Sequence, residues 1–193
     1  MYRPVLSAAP TSAIVTLQDA KNHLRVDSTD EDSLIQTLVD AATAYLDGFY
    51  GVLGRAMVTQ TWIQKFDGWD SYLYLPVFPV ASITSVVYLN SSGGSTTVTA
   101  SDYQLLTDEC GPYVAFDQAF SYPTLGIETG PQVTVTYVAG EAVTNVPRPL
   151  KQAMLLLIGH WFAQRETVNV GNITTELEFT VRTLIAPYRR VHF

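Results

Sequence analysis

The sequence predicts an α+β fold: a helical core of about four helices, with an antiparallel β lobe inserted between the second and third. Three observations predict it. Apolar residues recur at three and four from Leu34 to Phe49 and again from Leu150 to Phe162, which is helical spacing. Between them, Ala56 to Gly140 is rich in Thr, Val and Tyr, with turn residues about every 8 to 12 positions, as in short antiparallel strands. Helical spacing then returns and runs to Ile185. The chain thus divides into 1–55 (an arm and core helices), 56–140 (the inserted lobe) and 141–193 (core helices and a tail).

Residues 1–15 read as an extended arm, with proline at 4 and 10. Thr16 can cap a short helix, Leu17 to Leu24, with Asp19 completing a relaxed capping box. Thr29 or Asp30 is expected to cap the next helix, with Asp30, Glu31 and Asp32 in a first turn that favours negative charge. Its apolar side is Leu34, Ile35, Leu38, Val39, Ala42, Tyr45, Leu46 and Phe49, and Gly48, Gly51 and Gly54 end it.

In the lobe, strands are predicted near 58–66, 72–75, 83–89, 96–99, 103–106, 113–116 and 133–138. Asn90 to Ser95 reads as a hairpin turn. Pro76 and Pro79 make 76–80 an edge or connector. Pro112 to Pro131 has no clear period.

Pro147 and Pro149 fit the first turn of the central helix, Leu150 to Arg165. Its apolar residues do not form one stripe: Leu155 and Leu156 carry the apolar surface around the cylinder, so the helix needs cover on most sides. The candidate core or subunit-interface residues are Leu155, Leu156, His160 and Trp161. A polar loop, 167–175, leads to a last helix from Thr175 to Ile185, stopped by Pro187.

A chain of 193 residues can bury a core without a staple, and Cys110 is its only cysteine, so no internal disulfide forms. The expectation is a protein made in the cytosol, with no signal peptide and no membrane span. The net charge of −7 is uneven. Residues 56–138 carry Lys65 against seven acids, net −6, whereas 146–193 carry six basic and three acidic groups, net +3. Phosphate binding needs Lys and Arg, so the acidic middle does not grip nucleic acid.

Reactive groups are sparse. Asp19 and His23, four apart on a helix, supply two metal ligands where a stable zinc site needs three or four; a surface charge pair is the plainer reading. His160, with Glu166 further along, suggests a small hydrolase, but a histidine satisfied in a core or subunit contact is the plainer reading. No nucleophile elbow, phosphate loop or dinucleotide fingerprint is present, and Cys110 has no basic neighbour in sequence. The expectation is therefore no enzyme, no cofactor and no metal. Trp62, Trp69, Tyr72, Tyr74, Tyr88, Tyr103, Tyr113, Phe116, Phe120 and Tyr122 crowd the lobe; a glycan- or host-binding platform is the alternative function, core packing the plainer one. The last six residues pair arginines with aromatics, as binding hot spots do.

Six segments together carry a family resemblance. They are V-T-L-Q-D-A-K-N-H-L-R-V-D, D-E-D-S-L-I-Q-T-L-V-D-A-A, G-R-A-M-V-T-Q-T-W, L-P-V-F-P-V-A-S-I-T-S-V-V-Y, G-H-W-F-A-Q-R-E and L-I-A-P-Y-R-R-V-H-F. In this order and spacing the chain resembles the head–tail connector (adaptor) proteins of tailed bacteriophages, prophages and gene transfer agents. The resemblance implies a structural protein that forms a ring, commonly of twelve copies, beneath the portal protein. The ring extends the channel through which double-stranded DNA passes without specific binding, and it receives the stopper or tail-completion protein. In similar adaptors the C-terminal segment engages the portal, a role that falls here on Tyr188, Arg189, Arg190, Val191, His192 and Phe193. The implied location is the head–tail junction of a virion assembled in the bacterial cytoplasm. Compact members of the wider group are almost wholly helical, so the resemblance assigns the β lobe no role, and the loop Val168 to Thr174 has no counterpart in it.

Overall fold

The computed structural model describes residues 2–126, 129–164 and 175–190, with the backbone alone for 175–178. The predicted α+β class is what it shows: four α-helices and eight strands, in two compact units. One unit is residues 1–11 with 58–141, and the other is 12–57 with 142–193.

The first unit holds a five-stranded and a three-stranded antiparallel sheet. The larger runs β1 (Val5–Ala8), β2 (Gln60–Phe66), β8 (Val133–Ala139), β4 (Val80–Leu89), β5 (Ser95–Thr97), in that spatial order. The smaller runs β3 (Tyr72–Tyr74), β7 (Gly111–Phe116), β6 (Tyr103–Asp108). The arm is thus the edge strand of the larger sheet, with Val5 opposite Ile63 and all four of its side chains exposed.

Alternation of side chains decides the core. Along β8, Val133, Val135, Tyr137 and Ala139 are buried and the residues between them are half-exposed, as a one-sided sheet requires. Tyr137 lies between Trp62 and Ile83, and its hydroxyl accepts a hydrogen bond from the Val77 amide at 3.4 Å. Pro76 and Pro79 lie in the connector between β3 and β4, where no ladder hydrogen bond is asked of them. The β4–β5 turn is closed by Asn90, whose Oδ1 accepts from the amides of Ser92 and Gly94, both at 3.0 Å, with Gly93 at φ 77°. A second hairpin joins the strands predicted near 103–106 and 113–116. Asp108 Oδ1 accepts from Cys110 and Gly111 at 2.8 and 3.1 Å, turning β6 into β7.

The second unit is α1 (Leu17–Leu24), α2 (Asp32–Leu46), α3 (Arg148–Ala163) and α4 (Thr175–Ile185). α3 packs against the other three, as predicted for the central helix. Its buried residues, however, form one stripe: Leu150, Ala153, Met154, Leu157 and Ile158. Leu155 and Leu156 project about 100° and 200° from Met154 around the cylinder and are only half-buried. Among the described residues, therefore, the expected cover on most sides is not met.

α1 carries the predicted capping box, Thr16 Oγ1 accepting from the Asp19 amide and the Asp19 carboxylate accepting from the Thr16 amide, both at 3.1 Å. α2 departs from expectation. Its cap is Glu31, which makes no side-chain capping bond, and only Asp32 of the predicted three acids lies in the first turn. The reason is Lys21, a buried lysine that binds the Asp32 carboxylate at 2.5 Å and the Ser28 carbonyl at 2.8 Å. With Asp32 tied to Lys21, residues 29–31 form a tight turn, Asp32 N–H donating to Thr29 O, instead of a helical one. After α2, Asp47 Oδ1 accepts the Met57 amide at 2.6 Å and holds a returning loop in which Leu53 is fully buried.

Candidate functional site

Three places were candidates for function: the histidines, the aromatics of the lobe, and the C-terminal segment.

His23 is exposed on α1, and His160 is half-buried on α3. Asp19 does not serve His23. Its carboxylate is taken by Thr16 and by Lys151 of α3, at 3.1 Å, which replaces the expected surface pair with a bridge between helices. The Thr16 amide hydrogen bond, above all, holds the Asp19 carboxyl below the usual range, and Lys151 adds to this. His23 instead lies over Gly159, where an added methyl group would stand 3.4 Å from its Nε2, so the small residue lets α1 approach α3. Among the described residues no group of three or more His, Cys, Asp and Glu could hold a metal ion. Nor is any described helix long and apolar enough to cross a membrane. Glu166, His192 and the loop Val168 to Thr174 lie outside the described residues.

Strand faces sort the aromatics into separate populations, which the sequence shows only as one crowd. Trp62 is 3% exposed and faces the core, so no ligand stacks on it. Trp69 is half-buried, donates to the Pro123 carbonyl at 2.9 Å, and is walled by Tyr88, Phe116, Phe120 and Tyr122 at 5.3 to 6.0 Å between ring centroids. Phe116 and Phe120 stack at 4.7 Å, so these rings pack on one another as a half-buried cluster, with Tyr122 48% exposed at its edge. Tyr72, Tyr74 and Tyr113 are different. They share the outer side of the small sheet, with Tyr113 opposite both Tyr74 and Leu106 in register, and Tyr72 is 53% exposed. Tyr74 donates to Asp108 Oδ2 at 2.7 Å; this bond raises the tyrosine above the usual phenol range and lowers the aspartate.

The C-terminal segment is tied at its start. Tyr188 ends a short 3-10 turn, Arg189 is exposed, and the Arg190 amide donates to the Leu53 carbonyl at 2.8 Å. The sequence gives that segment no partner within the chain; the Leu53 loop is one, at residue 190. Val191, His192 and Phe193 lie outside the described residues. On α4, Val181 and Ile185 are buried while Phe179 is 73% exposed, an apolar side chain that sequence reading passed over because its neighbours keep helical spacing. On α3, Trp161 lies about 20° from Met154, in line with the buried stripe, and meets the exposed Tyr45 edge to face at 6.3 Å, whereas Leu155, Leu156 and His160 lie on the other, half-buried side.

These features are surfaces and edges, and they belong to a structural protein of the head–tail region of a phage-like particle. The chain is a member of the head completion protein family, whose model matches residues 13–191; this is a family of structural virion proteins and not of enzymes. Three solved chains share the fold. One, from the neck of an empty gene transfer agent particle computed with C6 symmetry, is 23% identical, with a TM-score of 0.76 over all of this chain and 97% of that one. One from the virion of a native gene transfer agent particle is 22% identical, with a TM-score of 0.75 over 100% and 97%. A third, from the neck of a native particle computed with C12 symmetry, is 20% identical, with a TM-score of 0.64 over 97% of each chain. No curated protein is similar enough in sequence to match. Because the first two likenesses span the whole chain, the β lobe belongs to the shared fold and is not an addition to a purely helical one.

Proposed function

We propose that the chain is the adaptor of the neck, one subunit of a ring, most simply of twelve copies, that sits beneath the portal protein and continues the DNA channel. The observation that carries this reading is the full-length likeness of fold to chains of gene transfer agent necks computed with cyclic symmetry, together with membership in the head completion family. The physical case agrees with it. Among the described residues, Leu155, Leu156 and His160 lie on a second, half-buried side of α3, about 100° to 240° around from Met154, and a ring neighbour would cover it, with Trp161 at the end of the buried stripe beside Tyr45. The acidic balance suits a channel through which DNA slides without being held.

In this reading the helices of the core segments 1–55 and 141–193 make the ring, and the lobe (56–140), with the arm strand β1 on its edge, is inserted between them. The segment Tyr188, Arg189, Arg190, Val191, His192 and Phe193 docks into the portal, and the opposite end of the ring receives the stopper or tail-completion protein. The location is the virion's head–tail junction, after assembly in the host cytoplasm. Its chemistry is adhesion, with no cofactor.

The test is co-assembly with the portal protein, read by native mass spectrometry. Full-length protein is expected to give a multi-copy complex with the portal, and the chain ending at Ala186 or Pro187 is expected to stay folded and lose it. Undiminished binding by the shortened chain would remove the C-terminal segment from the account.

A further inference from the structure

The outer side of the three-stranded sheet is built from Tyr72 and Tyr74 of β3, Tyr113 of β7 and Leu106 of β6. The three rings lie close. Centroids are 5.0 Å apart for Tyr72 and Tyr113, 5.3 Å for Tyr74 and Tyr113, and 6.4 Å for Tyr72 and Tyr74. Tyr72 is 53% and Leu106 38% exposed. Alternation would place polar residues on the open side of a one-sided sheet; here Gln104 and Asp108 share that side with three tyrosines and Leu106. At one end of this side stands Asp108. Its carboxylate is fixed by the Tyr74 hydroxyl at 2.7 Å and by the Cys110 and Gly111 amides.

Charge selects the occupant. No Lys, Arg or His occurs between Lys65 and Arg148, while Asp67, Asp70, Asp102, Asp108, Glu109, Asp117, Glu128 and Glu141 all fall there. An aromatic ring presents a negative face, and a guanidinium stacks on it while pairing with a nearby carboxylate. A phosphate backbone is repelled by the same groups. We propose that this tyrosine side of the small sheet is a docking site for an arginine-bearing segment of a partner protein, with the guanidinium over the rings and Asp108 as its counter-charge. The inference rests on this side of the sheet alone and stands whether or not the ring reading holds.

The test uses tetra-arginine amide, with tetra-citrulline amide as the uncharged isostere, added to full-length protein with its tyrosine rings labelled for NMR. The arginine peptide is expected to shift the Tyr72, Tyr74 and Tyr113 rings and to bind at least about tenfold tighter than the citrulline peptide. The double variant Tyr72→Leu/Tyr74→Leu keeps apolar strand residues and removes two rings; with its amide spectrum otherwise unchanged, it is expected to weaken binding about fivefold or more. Four results would overturn the proposal: shifts spread equally to the acidic start of α2, equal binding of citrulline, unchanged binding by the variant, or no shift at millimolar peptide. Ring shifts that follow protein concentration without peptide would identify a second copy as the occupant and overturn it as well.

Discussion

At the scale of single residues, Thr16 and Gly140 do different kinds of work. Thr16 closes α1 through reciprocal bonds with Asp19. Thr16→Ala is expected to cost about 1 kcal/mol in chemical denaturation, the usual cost of a lost cap. The same site carries a pH dependence. The folded-state value of Asp19 lies below its unfolded one, chiefly because its carboxylate accepts the Thr16 amide. Its contribution is therefore present above about pH 4 and is lost as pH falls through the lowered folded value. Because Asp19 is partly exposed, the effect is small, well under about 1 kcal/mol after solvent screening. Asp19→Asn is expected to flatten that part of the acid-stability curve, and a curve identical to wild type would contradict the assignment. Gly140 has φ +97°, and an added Cβ would fall on the Val58 carbonyl, which is backbone and cannot swing away. Gly140→Ala is expected to lower the thermal midpoint by several degrees, as a loss of at least about 2 kcal/mol would. The Thr16 cap was legible in sequence because its partner is three residues away. The need for glycine at 140 was not, since it is set by a backbone 82 residues distant. Lys21 illustrates the same limit: beside Asp19 and His23 it reads as a surface charge, and only the turn at 28–32 makes it a buried partner of Asp32.

Among elements, α3 separates folding from assembly. Met154 is fully buried in the single stripe, so Met154→Ala is expected to destabilise the isolated chain by about 2 to 5 kcal/mol. Leu156 is half-buried, so Leu156→Glu is expected to leave the isolated chain folded, with a loss below about 2 kcal/mol, while preventing multi-copy assembly with the portal protein. Unfolding data and particle mass check the pair; an unaltered assembly would show that this side of α3 stays in water. Helices were legible here because their apolar period is local: α1 and α4 begin and end where spacing and caps put them. Seven of the eight strands were legible in approximate place for the same reason, while β1 read only as an extended arm. Their partners were not. Nothing in the arm announces that Val5 sits opposite Ile63, because pairing is decided by backbone bonds between segments that share no sequence signal. Which tyrosines face outward was equally hidden, since it depends on the register of β3 against β7.

For the molecule as a whole, composition carried the exclusions and the order of motifs carried the family. The acidic stretch from 56 to 138 told against a nucleic-acid grip, and the scarcity of reactive groups told against an enzyme. No single motif identified the protein; six weak segments in register did, and the family model spans 13–191. The candidate surfaces were only half legible. The basic, aromatic ending was visible as a segment, while its anchorage at Leu53 came from the fold of the loop after α2. The tyrosine side of the small sheet came entirely from topology. The most direct test of the central claim, that this chain is a ring subunit of the neck, is cryo-electron microscopy of the assembled particle with the chain carrying a small density tag on the β4–β5 turn. The account predicts a closed ring of tagged copies immediately below the portal. Tag density at the tail tip, or a particle whose portal meets the stopper with no such ring between them, would contradict it.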